Sequence, residues 1–205
     1  MRVNKGLMIA ATFDPTKRTS LITVADMCRK IEENSISLPL YQRDISWTLQ
    51  KCIDLLNYQL WGKAPVSPIS INVINTVDSA VPQVSFIDRE IISTIERGQY
   101  SVVDGQQRLT TNYKAYCNHD DFRNIVLDLG KGEFTEVRDS IRSNQIPVGI
   151  LLNKEDTKLF EYTKAKSALG SADVLSVLLQ VRSKMRNYNY TLNSAEDLTE
   201  DEQIE

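Results

Sequence analysis

The sequence predicts a mixed α+β fold, in which a small mixed sheet is flanked by helices and followed by a further helical part. Some segments carry apolar residues at helical spacing, whereas other short runs alternate or are uniformly apolar, as strands are. Of the 205 residues, 41% are hydrophobic and 25% are charged, which is ordinary for a globular protein. A chain of this length suits one domain with, at most, one appended piece.

The first half of the chain predicts two helices and a strand. Residues 24–33 carry an apolar stripe behind Thr23, a residue type that caps helix N-termini. A second stripe over 49–60 predicts a helix that ends near Gly62, and the alternating run 69–74 predicts a half-buried strand. The following 25 residues are less regular, and we expect a strand at 84–87 and a short helix at 90–96.

The second half predicts a hairpin followed by helices. Two apolar runs flank Gly130-Lys131-Gly132, which indicates a tight turn between strands. The spacing of a phosphate-binding P-loop is absent around this Gly-Lys-Gly, so we interpret it as a turn only. The remaining predicted elements are a strand at 146–152, helices at 155–167 and 172–186, and a short strand at 188–192.

The stretch Asp104-Gly105-Gln106-Gln107-Arg108 is the most informative in the chain. It follows an apolar strand-like run and opens a segment with helical spacing. The first N–H groups of a helix lack intrahelical partners and the helix dipole is positive there, so such a junction can hold an anion. Gly105 lets the backbone approach closely, and Arg108 can direct two N–H donors at a phosphate. The alternative is a plain strand-to-helix corner, capped by Asp104 and with solvated glutamines.

A second polar stretch lies upstream, within residues 38–47. Pro39 favours extended geometry for its neighbour, so this stretch is expected to be a short strand or loop before the next helix. Tyr41 and Trp47 supply flat apolar surface, while Gln42 and Arg43 supply donors. Alone, the stretch is typical of a packed connector. Together with the downstream motif, it allows two Gln/Arg groups to converge on one ligand.

These two motifs, Pro39-Leu40-Tyr41-Gln42-Arg43 with Trp47 and then Val103 to Thr111, resemble a large bacterial family defined by its DGQQR sequence. It is the N-terminal domain of GmrSD-type restriction enzymes, and it is similar to the ParB/sulfiredoxin superfamily. The resemblance covers about residues 20–195. It implies a ParB/sulfiredoxin-like core and a role in defence against phage or modified DNA. It also implies nucleoside triphosphate hydrolysis that controls a separate HNH-type nuclease domain.

Carried onto this chain, the resemblance implies a regulatory domain that binds and hydrolyses a nucleoside triphosphate, with Mg²⁺ as a companion ion. Arg43 and Arg108 would neutralise phosphate charge, and Gln106 or Gln107 would orient the attacking water. Asp104 would approach Mg²⁺ through water or cap the helix. The expected catalytic residues are Asp104, Gln106, Gln107 and Arg108, and the expected nucleotide-binding residues are Tyr41, Gln42, Arg43, Gly105, Arg108, Thr110 and Thr111.

Two other functions stay open. A non-catalytic DNA- or partner-recognition module could use the same Gln/Arg cluster on a DNA backbone, because arginine contacts all phosphates alike. The net charge of −3 favours the nucleotide slightly. Direct DNA cleavage by a ParB-like fold ranks last, since no carboxylate pair or histidine cluster is visible. Arg182, Lys184 and Arg186 form a local basic cluster, which we interpret as a solvated helix face.

Few residues are available for metal or HNH chemistry. His119 is the only histidine, and the three cysteines, Cys28, Cys52 and Cys117, are isolated. No metal site is therefore expected, and an HNH centre would have to lie on another part of a longer protein. Cys28 and Cys52 fall on apolar faces and are expected in the core. The sequence shows neither a signal peptide nor a membrane span, so we expect a cytoplasmic location.

The expected domain organisation is an N-terminal extension (1–19), the DGQQR domain (20–192) and an acidic tail (193–205). Thr199-Glu200-Asp201-Glu202 is typical of a capping box at a helix start. Because few residues follow it, we expect the tail to begin a segment that continues in further domains, and Ile204 to lack an apolar partner. The alternative is a natural, frayed acidic C-terminus.

Overall fold

The computed structural model of the protein describes residues 3–12, 18–42, 47–63 and 67–204. The strands in this part are β1 (Thr19–Thr23), β2 (Ile36–Pro39), β3 (Ile69–Ile74), β4 (Gln83–Val84), β5 (Gln99–Asp104), β6 (Ile125–Asp128), β7 (Glu133–Glu136), β8 (Gln145–Pro147) and β9 (Asn189–Glu196). The helices are α1 (Lys5–Ala10), α2 (Val24–Glu32), α3 (Leu49–Trp61), α4 (Gln106–Tyr116), α5 (Val148–Leu151), α6 (Asp156–Ala165), α7 (Ala172–Arg186) and α8 (Glu200–Ile204).

The main sheet is mixed. Within the described residues its six strands are ordered β1-β9-β3-β5-β2-β4. Strand β3 pairs antiparallel with β5 and parallel with β9, while β5 pairs parallel with β2. A separate three-stranded sheet has the order β7-β6-β8. The prediction of a mixed α+β fold is therefore confirmed.

Two apolar cores lie on either side of α4. One joins the main sheet to α2 and α4 and contains Met27, Ile69 and Leu109. The other joins α3, the small sheet and α5 to α7, and includes Ala115. Since Leu109 and Ala115 both lie on α4, this helix belongs to both cores. Its N-terminus is thereby fixed at the carboxyl end of β5.

Local sequence signals explain the first two long helices. The Thr23 hydroxyl accepts from the backbone N–H of Asp26 at the start of α2, as predicted. Thr48 caps α3 in the same way, and Gly62 ends α3 in a left-handed conformation with φ of 60°. Cys28 and Cys52 are buried, as expected of small core residues.

The strand predicted at 146–152 was wrong. Strand β8 ends at Pro147, and residues from Val148 to Leu151 form a short helix. The sequence could not distinguish the two, because a buried apolar run of this length is compatible with either a strand or a helix. The helix predicted at 90–96 is also absent, since that described segment is irregular apart from an isolated bridge at Ile91. Strand β4 is shorter than predicted, whereas β9 extends past residue 192 to Glu196.

The hairpin prediction around Gly130-Lys131-Gly132 is confirmed, with β6 and β7 antiparallel. Asp128 organises this turn, because its Oδ1 atom accepts from the backbone N–H groups of Gly130 and Lys131 at 2.9 and 3.1 Å. Its other oxygen accepts from Gln145 Nε2 at 2.7 Å. These bonds to the ionised form lower the pKa of the Asp128 carboxyl below its ordinary value, against the opposing effect of burial.

The interpretation of Arg182 as part of a solvated basic face was wrong. Its side chain is buried and donates to the carbonyls of Leu151 and Asn153 at 2.5 and 2.6 Å, and to Asp156 at 2.6 Å. Arg186 shares the same carboxylate at 2.8 Å. Arg182 and Arg186 therefore connect α7 to the start of α6, whereas Lys184 is exposed.

The acidic end is attached to the main sheet, because the Leu198 backbone N–H donates to Asn72 Oδ1 on β3 at 3.0 Å. The predicted capping box is present, with the Thr199 hydroxyl and backbone N–H both donating to Glu202 Oε2. Gln203 is buried, and its Nε2 atom donates to the Leu198 carbonyl at 2.8 Å. Ile204 is 61% exposed. Among the described residues, no helix combines the length and apolarity needed to cross a membrane.

Candidate functional site

The junction between β5 and α4 requires a glycine. Gly105 is the N-cap of α4 and has φ of 98°. A Cβ atom there would collide with Ile69 Cδ1 and lie 3.0 Å from Arg108 Nη2. The helix start makes no side-chain cap bond, so the interpretation of Asp104 as the cap was wrong. The Asp104 carboxylate is instead 74% exposed and lies 3.5 Å from Arg108 Nη2.

Gln42 attaches the upstream motif to the end of β5. Its Nε2 atom donates to the carbonyls of Val102 and Val103 at 2.7 and 2.8 Å. Because both bonds require N–H donors, they fix which end of the amide faces the strand. The Oε1 atom is buried and has no hydrogen-bond partner among the described residues. Gln42 is thus locked beside the two residues that precede Asp104.

Gln107 makes the reciprocal connection from the downstream motif. Its Oε1 atom accepts from the backbone N–H of Trp47 at 3.0 Å. Within α4, the Thr111 hydroxyl donates to the Gln107 carbonyl at 2.8 Å. The structure therefore brings the two motifs together through one glutamine from each. Arg43, which was expected to share a pocket with Arg108, lies outside the described residues.

Arg108 connects α4 to the segment that leads into β3. Its Nη1 atom donates to the carbonyl of Ser67, and Nη2 donates to the carbonyl of Pro68 at 3.2 Å. The side chain is only 12% exposed. A guanidinium has five N–H donors, so these bonds and the Asp104 contact use part of its capacity. Arg108 therefore braces the junction, in addition to any role toward a ligand.

The other predicted residues of α4 differ in burial and in hydrogen bonding. Gln106 is half-buried, and its amide makes no hydrogen bond within the described residues. The Thr110 hydroxyl is buried and has no partner in the same part of the chain. Thr111 is buried, and its hydroxyl lies 3.4 Å from Cys52 Sγ. Gln106 and Thr110 thus retain unused hydrogen-bonding groups, whereas the Thr111 hydroxyl is already engaged.

Tyr41 contacts the acidic end of the chain. Its hydroxyl donates to Gln203 Oε1 at 3.3 Å. Partial burial, together with the charge of Glu200, raises the pKa of the Tyr41 hydroxyl above its ordinary value. The predicted site residue Tyr41 is therefore covered on one side by α8.

Arg89 is a residue of this region that the sequence did not reveal. Its Nη2 atom donates to the Gln42 carbonyl at 2.6 Å and to the Leu40 carbonyl at 3.4 Å. Its backbone has φ of 54°, which is uncommon for a residue other than glycine. The Nη1 atom is buried without a partner in the described part of the chain. No motif surrounds Arg89, and only the folding of residues 75–99 over Leu40 could place it here.

A second unpredicted feature is a buried polar cluster beneath α4. The Tyr190 hydroxyl accepts from Asn112 Nδ2 at 2.9 Å and from Gln59 Nε2 at 2.8 Å. Asn112 also donates to the Arg108 carbonyl at 2.9 Å. Burial raises the pKa of Tyr190 well above its ordinary value, so the hydroxyl keeps its proton. The cluster joins α3, α4 and β9 and holds the motif helix in place.

In the described ranges, no group of three or more His, Cys, Asp or Glu side chains is placed to hold an ion. The Asp104 carboxylate directly precedes the Gly105 turn. A cation at this junction would therefore need most of its ligands from water or from a bound phosphate.

The fold and the two joined motifs define a mixed α+β domain of the DGQQR class. The chain matches the family model described as GmrSD restriction endonuclease, N-terminal domain, over residues 24–204. It belongs to this family, which makes it part of a restriction system. A search of curated proteins gave no match.

Proposed function

We propose that the domain binds a nucleoside triphosphate where the two motifs meet, hydrolyses it, and thereby regulates a restriction protein that acts on modified or foreign DNA. The observation that supports this most directly is the pair of glutamine bridges. Gln42 donates to a carbonyl near the end of β5, and Gln107 accepts from the backbone N–H of Trp47. Two polar segments are thereby held around a glycine turn at a helix N-terminus, an arrangement suited to phosphate.

The phosphates would lie against the first turn of α4. The backbone N–H groups of Gln106 and Gln107 have no hydrogen-bond acceptor in the described part of the chain, whereas that of Arg108 donates to the Gly105 carbonyl at 3.1 Å. Gly105 also removes the side chain that would otherwise stand in the way. The proposed cationic groups are the guanidinium of Arg43, which is next to Gln42 in the sequence, and that of Arg108. The N–H donors of Arg108 that are not bonded to Ser67 or Pro68 would contact the phosphates. Tyr41, Gln42 and Thr110 would complete the binding residues.

Gln106 is the proposed residue for orienting the attacking water. Of the two motif glutamines, Gln107 already accepts a hydrogen bond from Trp47 through its carbonyl oxygen. Gln106 retains both ends of its amide, so it can accept from a water and donate to a phosphate oxygen at once. A glutamine positions a nucleophile without acting as a strong base, which suits phosphoryl transfer. The expected roles of Gln106 and Gln107 are thereby separated.

Mg²⁺ would arrive with the triphosphate. Magnesium in nucleotide sites keeps several waters and uses one or two carboxylates together with phosphate oxygens. Asp104 supplies a single exposed carboxylate at the junction, which fits this mode and no more demanding one. When bound, the ion would neutralise charge on the phosphates.

The test is a thermal-shift screen of this chain with the four triphosphates and Mg²⁺, followed by phosphate-release assays. A ligand that binds only the folded state raises the unfolding midpoint. Gln106→Ala should keep this shift and lose phosphate release, whereas the control Gln50→Ala, exposed on α3 and bonded to Asp54, should behave as the unmodified chain. Absence of any shift would overturn the proposal. Stabilisation by DNA alone would favour the recognition module, and metal-dependent DNA cutting would favour the nuclease.

A further inference from the structure

A cavity of about 260 Å³ lies along α4. It begins at the Gln107 bridge, where both motifs contribute to its wall. It extends along α4 toward the loop that follows the helix. Its lining includes Trp47, Gln107, Thr110, Lys114, Asp121 and Phe122.

The wall combines aromatic surface with unused polar groups. Trp47 and Phe122 supply flat rings. Gln107 Oε1 is held by the Trp47 N–H, so its two Nε2 donors remain available in the described structure. The Thr110 hydroxyl has no partner among the described residues, although leaving a buried hydroxyl unpaired costs free energy. Such a wall suits a planar ring that carries both donors and acceptors.

A charged pair closes the far end. Lys114 Nζ lies 2.5 Å from Asp121 Oδ2, and this bond lowers the pKa of the Asp121 carboxyl below its ordinary value. Each charge is satisfied by the other. The pair therefore makes the end polar without presenting an unpaired charge to a neutral ring.

Size and distance limit the occupant. Sites for whole ligands usually measure roughly 300–1,000 Å³, so this cavity suits one part of a ligand. With a rise of about 1.5 Å per residue, Thr110 lies about 6 Å along the helix axis from Gln106, and Lys114 about 12 Å. A triphosphate bound at the N-terminus of α4 could therefore extend its ring into the cavity.

We propose that this cavity binds the base of the nucleotide, with the ring stacked on Trp47 and its polar edge paired with Gln107 and Thr110. The inference rests on the proposed function, because it assigns the other end of the same ligand. It also gives the Thr110 hydroxyl the partner that it lacks.

Tryptophan fluorescence provides the test, because the chain has only Trp47 and Trp61. Trp61 is 56% exposed and lines a separate cavity, so Trp61→Phe leaves Trp47 as a single reporter. Triphosphates should quench its emission, whereas inorganic tripolyphosphate should raise the unfolding midpoint without quenching. If nucleotides raise the midpoint but leave the emission unchanged, the base lies elsewhere. If neither nucleotides nor tripolyphosphate stabilise the chain, the proposed function itself fails.

Two substitutions complete the test. Trp47→Leu should weaken nucleotide binding about tenfold, because it removes the aromatic ring on which the base stacks. Thr110→Val removes the unpaired hydroxyl with little change of shape. It should leave the unliganded midpoint unchanged or higher, while weakening nucleotide binding at least about threefold and leaving tripolyphosphate binding unaltered. Unchanged nucleotide affinity in both variants would refute the assignment.

Discussion

The role of Arg108 can be tested by replacing it with alanine. The substitution removes donors to the Ser67 and Pro68 carbonyls and one ion pair with Asp104. Hydrogen bonds from charged groups contribute about 1.5–3 kcal/mol each, but these carbonyls lie near the surface, where water can replace the lost donor. The exposed Asp104 pair adds at most about 1 kcal/mol. We therefore expect a loss of about 2–3 kcal/mol of unfolding free energy.

For a chain of this size, 1 kcal/mol corresponds to about 2–4 °C in the unfolding midpoint, so the Arg108→Ala midpoint should fall by roughly 4–12 °C. Circular dichroism without ligand measures this. Arg123→Ala is the matched control, because Arg123 is exposed and pairs with Asp120 at the surface. It should change the midpoint by less than about 2 °C. If Arg108→Ala leaves the midpoint intact yet abolishes stabilisation by a triphosphate, the brace has no energetic role and Arg108 serves the ligand alone.

Three further predictions follow from other contacts. Gln42→Glu should lower the free energy of unfolding, measured with urea, by at least about 2 kcal/mol, because a carboxylate would face the two carbonyls of β5 in place of a donor. A urea midpoint equal to that of the unmodified chain would contradict this role of Gln42. The lowered pKa of Asp128 stabilises the fold at pH values above its unfolded value of 3.8, and this stabilisation is lost as the pH falls through the folded value. Asp128→Asn should therefore reduce stability at pH 7 and flatten its acid dependence, which pH-dependent unfolding measures. Gln203→Ala should speed amide exchange over residues 198–204 while β9 stays protected; equal protection of α8 would show that the Tyr41 contact does not anchor it.

Local signals in the sequence determined most of the long helices and the central strands. The Thr23 cap and the left-handed Gly62 define ends that depend on neighbouring residues only. The prediction of a strand over 146–152 failed because buried strands and buried helical turns have the same apolar composition. The prediction for residues 84–96 failed because their conformation depends on contacts with β2, a strand that is distant in the sequence.

The sequence also identified the two motifs and the family, since a glycine turn between polar residues is a local pattern. Only the tertiary structure decided what each side chain does there. Hydrogen bonds across about 60 positions bound Gln42 to β5 and Gln107 to Trp47, and Arg108 was turned toward the carbonyls of residues 67 and 68. Arg89 entered the site without any motif. The physical reason is that a residue type fixes which donors it carries, whereas the partners of those donors depend on which distant segments the two cores bring against α4.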